Sequence, residues 1–359
     1  MINVTKIHLP PLEEYVALLQ GIWQRGQLTN HGPLVMELER RLREYLDVPY
    51  CLLVTNGMLA LQIAIKALRL RGSVVTTPFS YVATTAAPAW EGLHCLHADL
   101  DPRSLCIGAE QCEAVWRDDV SAILATHVYG NACDIEGLSA LAKLRGAKTI
   151  YDAAHTFGAR LAGRSLSDFG DVSILSFHAT KLFHTGEGGA LITRDPELAH
   201  RIEYLRNFGH DGPEAFHDFG TNAKVSELHA AMGLCVLPRV DQLIAQRKLL
   251  VEQYDRELAG LPLSQPIWAA GLQRNYAYFP VLFANEATLL KVRAVLIAEN
   301  IHPRRYFYPS LSSLNYIEPQ STPICDAISQ RVLCLPLWAE MEPMQVSRIA
   351  SLIRRSLGH

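Results

Sequence analysis

The chain reads as an α/β protein: a large lobe built around a mostly parallel central sheet, followed by a smaller C-terminal α+β lobe. Three observations predict this. Between about residues 50 and 240 short apolar runs alternate with segments of helical periodicity, the pattern of strands joined by crossover helices. Beyond Gly260 the alternation gives way to two strand-like segments with one helical pattern between them. A chain of 359 residues is also long enough for two lobes.

Taken in order, residues 12–45 give a helix, an extended loop at 27–33 and a second amphipathic helix. The run Cys51-Leu52-Leu53-Val54 then leads through Asn56-Gly57-Met58 into helical spacing from Leu59 to Leu68. Strands are expected at residues 73–77, 93–98, 120–126, 149–152, 172–177 and 189–193. They are short and mainly apolar, the mark of a mostly parallel sheet. Helices are expected at residues 84–90, 135–144 and 196–207. Helical spacing returns at 228–236 and continues as a long amphipathic helix at 239–259. Residues 276–283 and 331–337 are the strand-like segments of the small lobe, with a helix at 286–299. The expected division is residues 1–244 for the large lobe, including the N-terminal loop segment, and 245–359 for the small one.

Composition narrows the function. Thirty-three basic against 36 acidic residues give a formal charge of −3, which offers no basic field for nucleic acid or an anionic membrane. The eight cysteines are scattered without CxxC spacing, so reduced thiols are expected. Residues 1–6 lack the apolar core of a secretory signal and no run reaches membrane-spanning length, so a cytoplasmic location is expected. His94, His97, Asp99 and Asp101 lie close in sequence, but no cysteine pair accompanies them and Asp101-Pro102 reads as a turn; no metal is expected. No GxGxxG follows the first strand, which argues against a nicotinamide dehydrogenase.

The most informative stretch is Ser176-Phe177-His178-Ala179-Thr180-Lys181, followed by Thr185-Gly186-Glu187-Gly188-Gly189. It sets one lysine in a polar, glycine-rich turn between two apolar runs. Upstream, Tyr151-Asp152-Ala153-Ala154-His155 ends an apolar strand with a carboxylate and an imidazole. Lysine, aspartate and a glycine loop together point to pyridoxal phosphate. A lysine amine can bond to the cofactor's aldehyde, leave it and then move a proton, whereas arginine can do neither. A carboxylate facing the pyridine nitrogen keeps that nitrogen protonated and the ring electron-accepting. Gly57 and Met58 would open a helix whose N–H groups receive a phosphate. Each residue also has a plainer reading: Lys181 as a loop lysine, Asp152 as a helix cap, Tyr81 as a core aromatic instead of a ring stacked on the cofactor, and His155 as a structural histidine.

In these blocks, and in Leu28-Thr29-Asn30, Pro78 to Thr84, His127-Val128-Tyr129-Gly130, Gly220-Thr221-Asn222-Ala223-Lys224, Arg304-Arg305-Tyr306-Phe307-Tyr308-Pro309 and Leu335-Pro336, the chain resembles the DegT/DnrJ/StrS family. These are pyridoxal phosphate-dependent sugar aminotransferases of fold type I, the aspartate-aminotransferase-like fold. The resemblance implies that Lys181 is the lysine bonded to the cofactor, Asp152 the partner of its ring nitrogen and His155 the neighbour of its phenolic oxygen. Gly57, Met58 and Ser176 would be phosphate ligands, although a methionine stands where the family usually has threonine. Asn222 would reach the phosphate of a neighbouring subunit, which implies a homodimer. Thr29, Asn30, Arg305 and Tyr306 would lie near the sugar-nucleotide entrance, with Arg305 on the pyrophosphate. The implied reaction moves nitrogen from L-glutamate to a nucleotide-linked 4-keto-6-deoxyhexose, and the motifs are most like members acting on dTDP-4-keto-6-deoxy-D-glucose. A UDP- or GDP-linked substrate, a 3-keto sugar, and a noncatalytic regulatory protein of this fold are the alternatives. Lys181 argues against the relatives that carry histidine there and deoxygenate.

Overall fold

In the computed structural model, which describes residues 1–358, seven strands form the central sheet. They are β1 (Tyr50–Val54), β2 (Ser73–Thr76), β3 (His94–His97), β4 (Val120–Thr126), β5 (Lys148–Asp152), β6 (Val172–Ser176) and β7 (Gly189–Thr193). Their order across the sheet is β1, β7, β6, β5, β4, β2, β3. All adjacent pairs are parallel except those of β7, which runs antiparallel to both β1 and β6. The turn between β6 and β7 is the one that carries Lys181, so a short reversal replaces the helical crossover a parallel strand would need.

Alternate residues feed opposite cores, as the twofold strand period requires. Leu52, Val54, Ile150, Ile174 and Leu191 pack on helices α3 (Gly57–Ala67) and Pro196–Leu205. Cys51, Leu53, Leu175, Ala190 and Ile192 pack on the other face against α2 (Pro33–Leu46) and Glu227–Val236. Both faces are therefore apolar, which is why the strands read as continuous hydrophobic runs. Their observed ends lie within a residue or two of those expected from the sequence.

The small lobe has its own core, formed by the antiparallel pair Phe279–Leu282 and Val332–Leu335 with helices Glu286–Ala298 and Pro343–Leu357. No element is expected from sequence beyond residue 337; the last helix nevertheless carries Val346, Ile349, Ala350 and Ile353, all buried at helical spacing. Residue 244 does not mark a break, because it lies inside the helix Val240–Glu257. That helix places Val240 and Leu243 in the large-lobe core and Leu250, Val251 and Tyr254 in the small-lobe core. The chain's start also crosses over, with Ile2 and Asn3 pairing in parallel with Ile301 and His302.

One buried carboxylate fixes the N-terminal loop. Glu227 is fully buried and accepts from Leu34 N and Val35 N, at 3.1 and 2.9 Å, in the first turn of α2. The negative charge suits the helix N-terminus, and Arg25 lies 3.3 Å away as a partner. Gly32 is needed here, since a Cβ at that position would come within 2.5 Å of the Glu227 carboxyl carbon. Glu227→Ala leaves two N–H groups without acceptors and should destabilise the protein by about 2–3 kcal/mol, read as a lower thermal unfolding midpoint at fixed protein concentration.

Candidate active site

The C-terminal ends of β5 and β6 open onto one crevice, the usual ligand position of an open α/β sheet. Asp152, the last residue of β5, is buried, and both of its carboxylate oxygens are engaged. Thr84 Oγ1 donates to Oδ2 at 2.7 Å, and Ala154 N donates to Oδ1 at 3.1 Å. Behind Thr84 runs a line of buried hydroxyls: Thr126 Oγ1 donates to Ser80 Oγ at 3.2 Å, and Ser80 lies 2.7 Å from Thr84 Oγ1. With one proton per hydroxyl, the row can point entirely toward the carboxylate. Burial pushes the Asp152 carboxyl pKa upward, while Thr84, Ala154 and the Lys181 charge oppose that shift.

Lys181 sits in the reversal between β6 and β7. Phe177 N donates to Gly188 O and Ala179 N to Gly186 O, at 2.8 and 2.7 Å, and these bonds close the loop around it. Its Nζ lies 3.4 Å from the Tyr278 hydroxyl. Burial lowers the pKa of the amine, with Asp152 the largest opposing influence, followed by Tyr306 and Tyr81. A lysine so placed releases its proton more readily than one in water.

His155 is buried beside this pair, with its ring parallel to that of Phe307 at 5.8 Å. Its Nδ1 accepts from Tyr129 N at 3.2 Å. Burial, and then the Lys181 charge, hold its pKa well below the usual value. The imidazole is therefore neutral with its proton on Nε2, a donor available to a phenolic oxygen.

At the adjacent helix N-terminus, Asn56 accepts from Leu59 N through its side chain at 2.9 Å and from Ala60 N through its carbonyl at 3.1 Å. This leaves the Gly57 and Met58 N–H groups for an anion. The cradle is tight: a Cβ on Gly57 would stand 3.1 Å from Ser176 Cβ, and one on Gly189 would come within 2.7 Å of the Asn56 backbone. Buried carboxylate, amine, imidazole donor and helix N-terminus together fit pyridoxal phosphate, which Asp152 would hold at its ring nitrogen, His155 at its phenolic oxygen and Gly57, Met58 and Ser176 at its phosphate. Tyr81 is largely exposed near Lys181, from where its ring would be available to cover the cofactor.

Other residues expected from sequence fall elsewhere. Thr29 and Asn30 are exposed in the loop between α1 (Leu12–Arg25) and α2, with Asn30 at φ 60°. Asn222 is exposed, and its Oδ1 accepts from Lys224 Nζ at 2.8 Å. Tyr306, by contrast, does reach the site: it packs edge-on to Tyr278, with ring centres 5.9 Å apart, and lies close enough to influence Lys181. Arg305 requires a correction: its Nη2 donates to Glu286 at 2.6 Å and to Gln330 O at 2.9 Å, and its guanidinium lies 3.5 Å from the Tyr308 ring centre. It is committed to packing the small lobe, not offered to a pyrophosphate; Arg304, exposed over Tyr306, is the freer guanidinium. His97 and Asp99 are likewise engaged, the first with Thr85 and the second with Ile324 N and Cys325 N.

The fold and this site define a pyridoxal phosphate-dependent aminotransferase of fold type I. The family model of the DegT/DnrJ/EryC1/StrS aminotransferases matches residues 12–354, and the chain belongs to that family. It is 38% identical to a dTDP-4-amino-4,6-dideoxy-D-glucose transaminase of Shigella dysenteriae and 34% identical to one of Escherichia coli, each over 98% of both chains. The crystal structure of DesI with its TDP-sugar product superposes with a TM-score of 0.93 at 32% identity, covering 99% of this chain and 92% of that one.

Thr84, Ser80, Thr126, Asn275 and Tyr278 are the site residues that motif reasoning misses. A hydroxyl row after Pro78 was the available signal for the first two. Thr84→Val removes a donor from a buried carboxylate and should lower kcat by about 10–100-fold, with Thr84→Ser restoring most of it. Steady-state kinetics of the three proteins provide the check.

Proposed function

We propose that the enzyme transfers the amino group of L-glutamate to the C4 ketone of dTDP-4-keto-6-deoxy-D-glucose. The products are the 4-amino-4,6-dideoxy sugar and 2-oxoglutarate. The observation that carries the sugar assignment is the 38% identity, over 98% of both chains, to a transaminase named for that product.

When bound, the cofactor supplies the carbon that carries nitrogen between the two substrates and the ring that accepts the electron pair. The chain supplies the proton chemistry. Lys181 Nζ would take the proton from the α-carbon of glutamate, the carbon that gives up nitrogen, and deliver a proton to the carbon that is to keep it, a role that contributes ~10²–10⁴-fold. Asp152 would face the ring nitrogen and favour its protonated form, and the Thr84 hydroxyl, by donating to the carboxylate, favours the charged form of Asp152 that this requires. His155 Nε2 donates to the phenolic oxygen. Tyr278 and Tyr306 stand beside Lys181 and leave it only partly exposed, so the charges at the site act in a medium less polar than water.

The enzyme works as a homodimer in this reading. Two exposed loops support it. Glu227 N donates to Leu28 O at 2.9 Å, and Arg206, bound to Glu39 at 2.5 Å, reaches His31 Nδ1 at 3.3 Å; Phe208 N donates to Thr221 O at 3.0 Å. The Thr29–Asn30 and Asn222 loops are thus tied to one framework while their side chains face outward, where they can complete a neighbouring copy's site. Sugar specificity is assigned to Thr29, Asn30 and Tyr306, with Arg304 in place of Arg305 at the pyrophosphate.

The test is incubation of the cofactor-loaded protein with L-glutamate and a panel of dTDP-, UDP- and GDP-linked 4-keto-6-deoxyhexoses and 3-keto sugars, with products resolved by mass spectrometry and NMR. The expected result is a dTDP-linked 4-amino sugar, absent with Lys181→Ala. A 3-amino product, a different preferred nucleotide, or undiminished turnover in Lys181→Ala would overturn the assignment.

A further inference from the structure

Tyr278 stands at the seam between the lobes, and its setting is more constrained than a wall residue requires. The segment leading to it is clamped by Asn275, which is buried and donates through Nδ2 to His155 O at 2.8 Å and to Phe157 O at 3.0 Å. Asn275 Oδ1 accepts from Ala277 N at 3.2 Å. Gly130, at φ +85°, makes room for this clamp, because a Cβ there would lie 2.9 Å from both Asn275 Oδ1 and His155 O. Arg247 Nη1 holds the other side by donating to Ala277 O at 3.0 Å.

The ring is fixed as firmly as the backbone. It meets His155 at 4.7 Å, Tyr129 at 5.7 Å and Tyr306 at 5.9 Å between ring centres, each at a steep angle. Its hydroxyl is thereby aimed at one target, Lys181 Nζ, 3.4 Å away. The two residues share a cavity with Ala154, His155, Arg247 and Asn275 whose free volume, about 10 Å³, is close to that of a single water. An amine that leaves the cofactor in this space has few partners to turn to.

We propose that Tyr278 is a positioning residue for Lys181: its hydroxyl receives the amine whenever the cofactor releases it and keeps it aimed at the reacting carbon. A phenol suits the task because it accepts from an ammonium and donates to an amine, so the link survives both protonation states of the lysine. Burial raises the pKa of Tyr278 and keeps it a phenol. The inference rests on the aminotransfer reading of the site. The charged and titratable groups facing the pair are Asp152, Tyr306, Tyr81 and His155 around Lys181, and Cys334, Arg247, Asp152 and Tyr129 around Tyr278.

Two readouts separate aiming from packing. Tyr278→Phe keeps the ring and removes only the hydroxyl; it should lower kcat about tenfold while KM for L-glutamate stays within about threefold, and Tyr278→Leu should fall at least as far. The second readout needs no turnover. In the full-length protein freed of cofactor, reductive methylation of Lys181 is followed against pH by peptide mass spectrometry. The phenol binds the ammonium more strongly than the amine, so its loss should move the methylation midpoint down by about half a pH unit or more. A midpoint that stays in place or rises in Tyr278→Phe would overturn the proposal. Failure of the wild-type protein to aminate any sugar would instead count against the proposed function, and the methylation midpoint would still judge Tyr278.

Discussion

A carboxylate and an amine placed together in a water-poor crevice are the constraint on which this structure depends. Taken from water singly, either Asp152 or Lys181 would shed its charge, since an isolated buried ion costs more than a change of protonation state. Each opposes that tendency in the other. Thr84 and the Ala154 N–H complete the environment of Asp152, and Tyr278 that of Lys181. These partners favour the charged carboxylate against the burial that opposes it, and burial leaves the amine readier to give up its proton.

The scaffold follows from the need to bring these groups to one place. Parallel strands deliver Asp152 and Ser176 to the same sheet end, and the antiparallel β7 lets the chain return after only the Lys181 loop. The return is close enough that Gly189 touches the backbone of Asn56. Any larger residue there would displace the helix N-terminus proposed to hold the phosphate. Glycine is thus required by contact at this position, not by an unusual backbone angle. The small lobe contributes the aromatic wall, and the helix Val240–Glu257, embedded in both cores, holds the two lobes in register.

How far the sequence reveals this depends on how local each role is. Lys181, Asp152, His155 and Gly57, which the fold gathers at one crevice, stand out in the sequence because they follow apolar runs and are residue types the proposed chemistry calls for. Thr84 and Tyr278 do not. Their partners lie 68 and 97 residues away, and a threonine in a helix or a tyrosine near a strand carries no local mark of such a contact. Arg305 misleads for the converse reason: a guanidinium in a tyrosine-rich run has the look of an anion ligand, and only the tertiary fold reveals Glu286 beside it. The strand pattern was legible nearly to the residue because both sheet faces are buried. The lobe boundary was not, since a helix shared between two cores has continuous periodicity and no break to read.

In the proposed reaction Lys181, among the lysines of the chain, carries the cofactor. Borohydride reduction of the cofactor-loaded protein, followed by peptide mass spectrometry, tests it most directly. One phosphopyridoxyl group per chain is expected, on the peptide containing Lys181 alone. Its appearance on another lysine, such as Lys224 beside the exposed Asn222, or its absence from every peptide, would contradict the account.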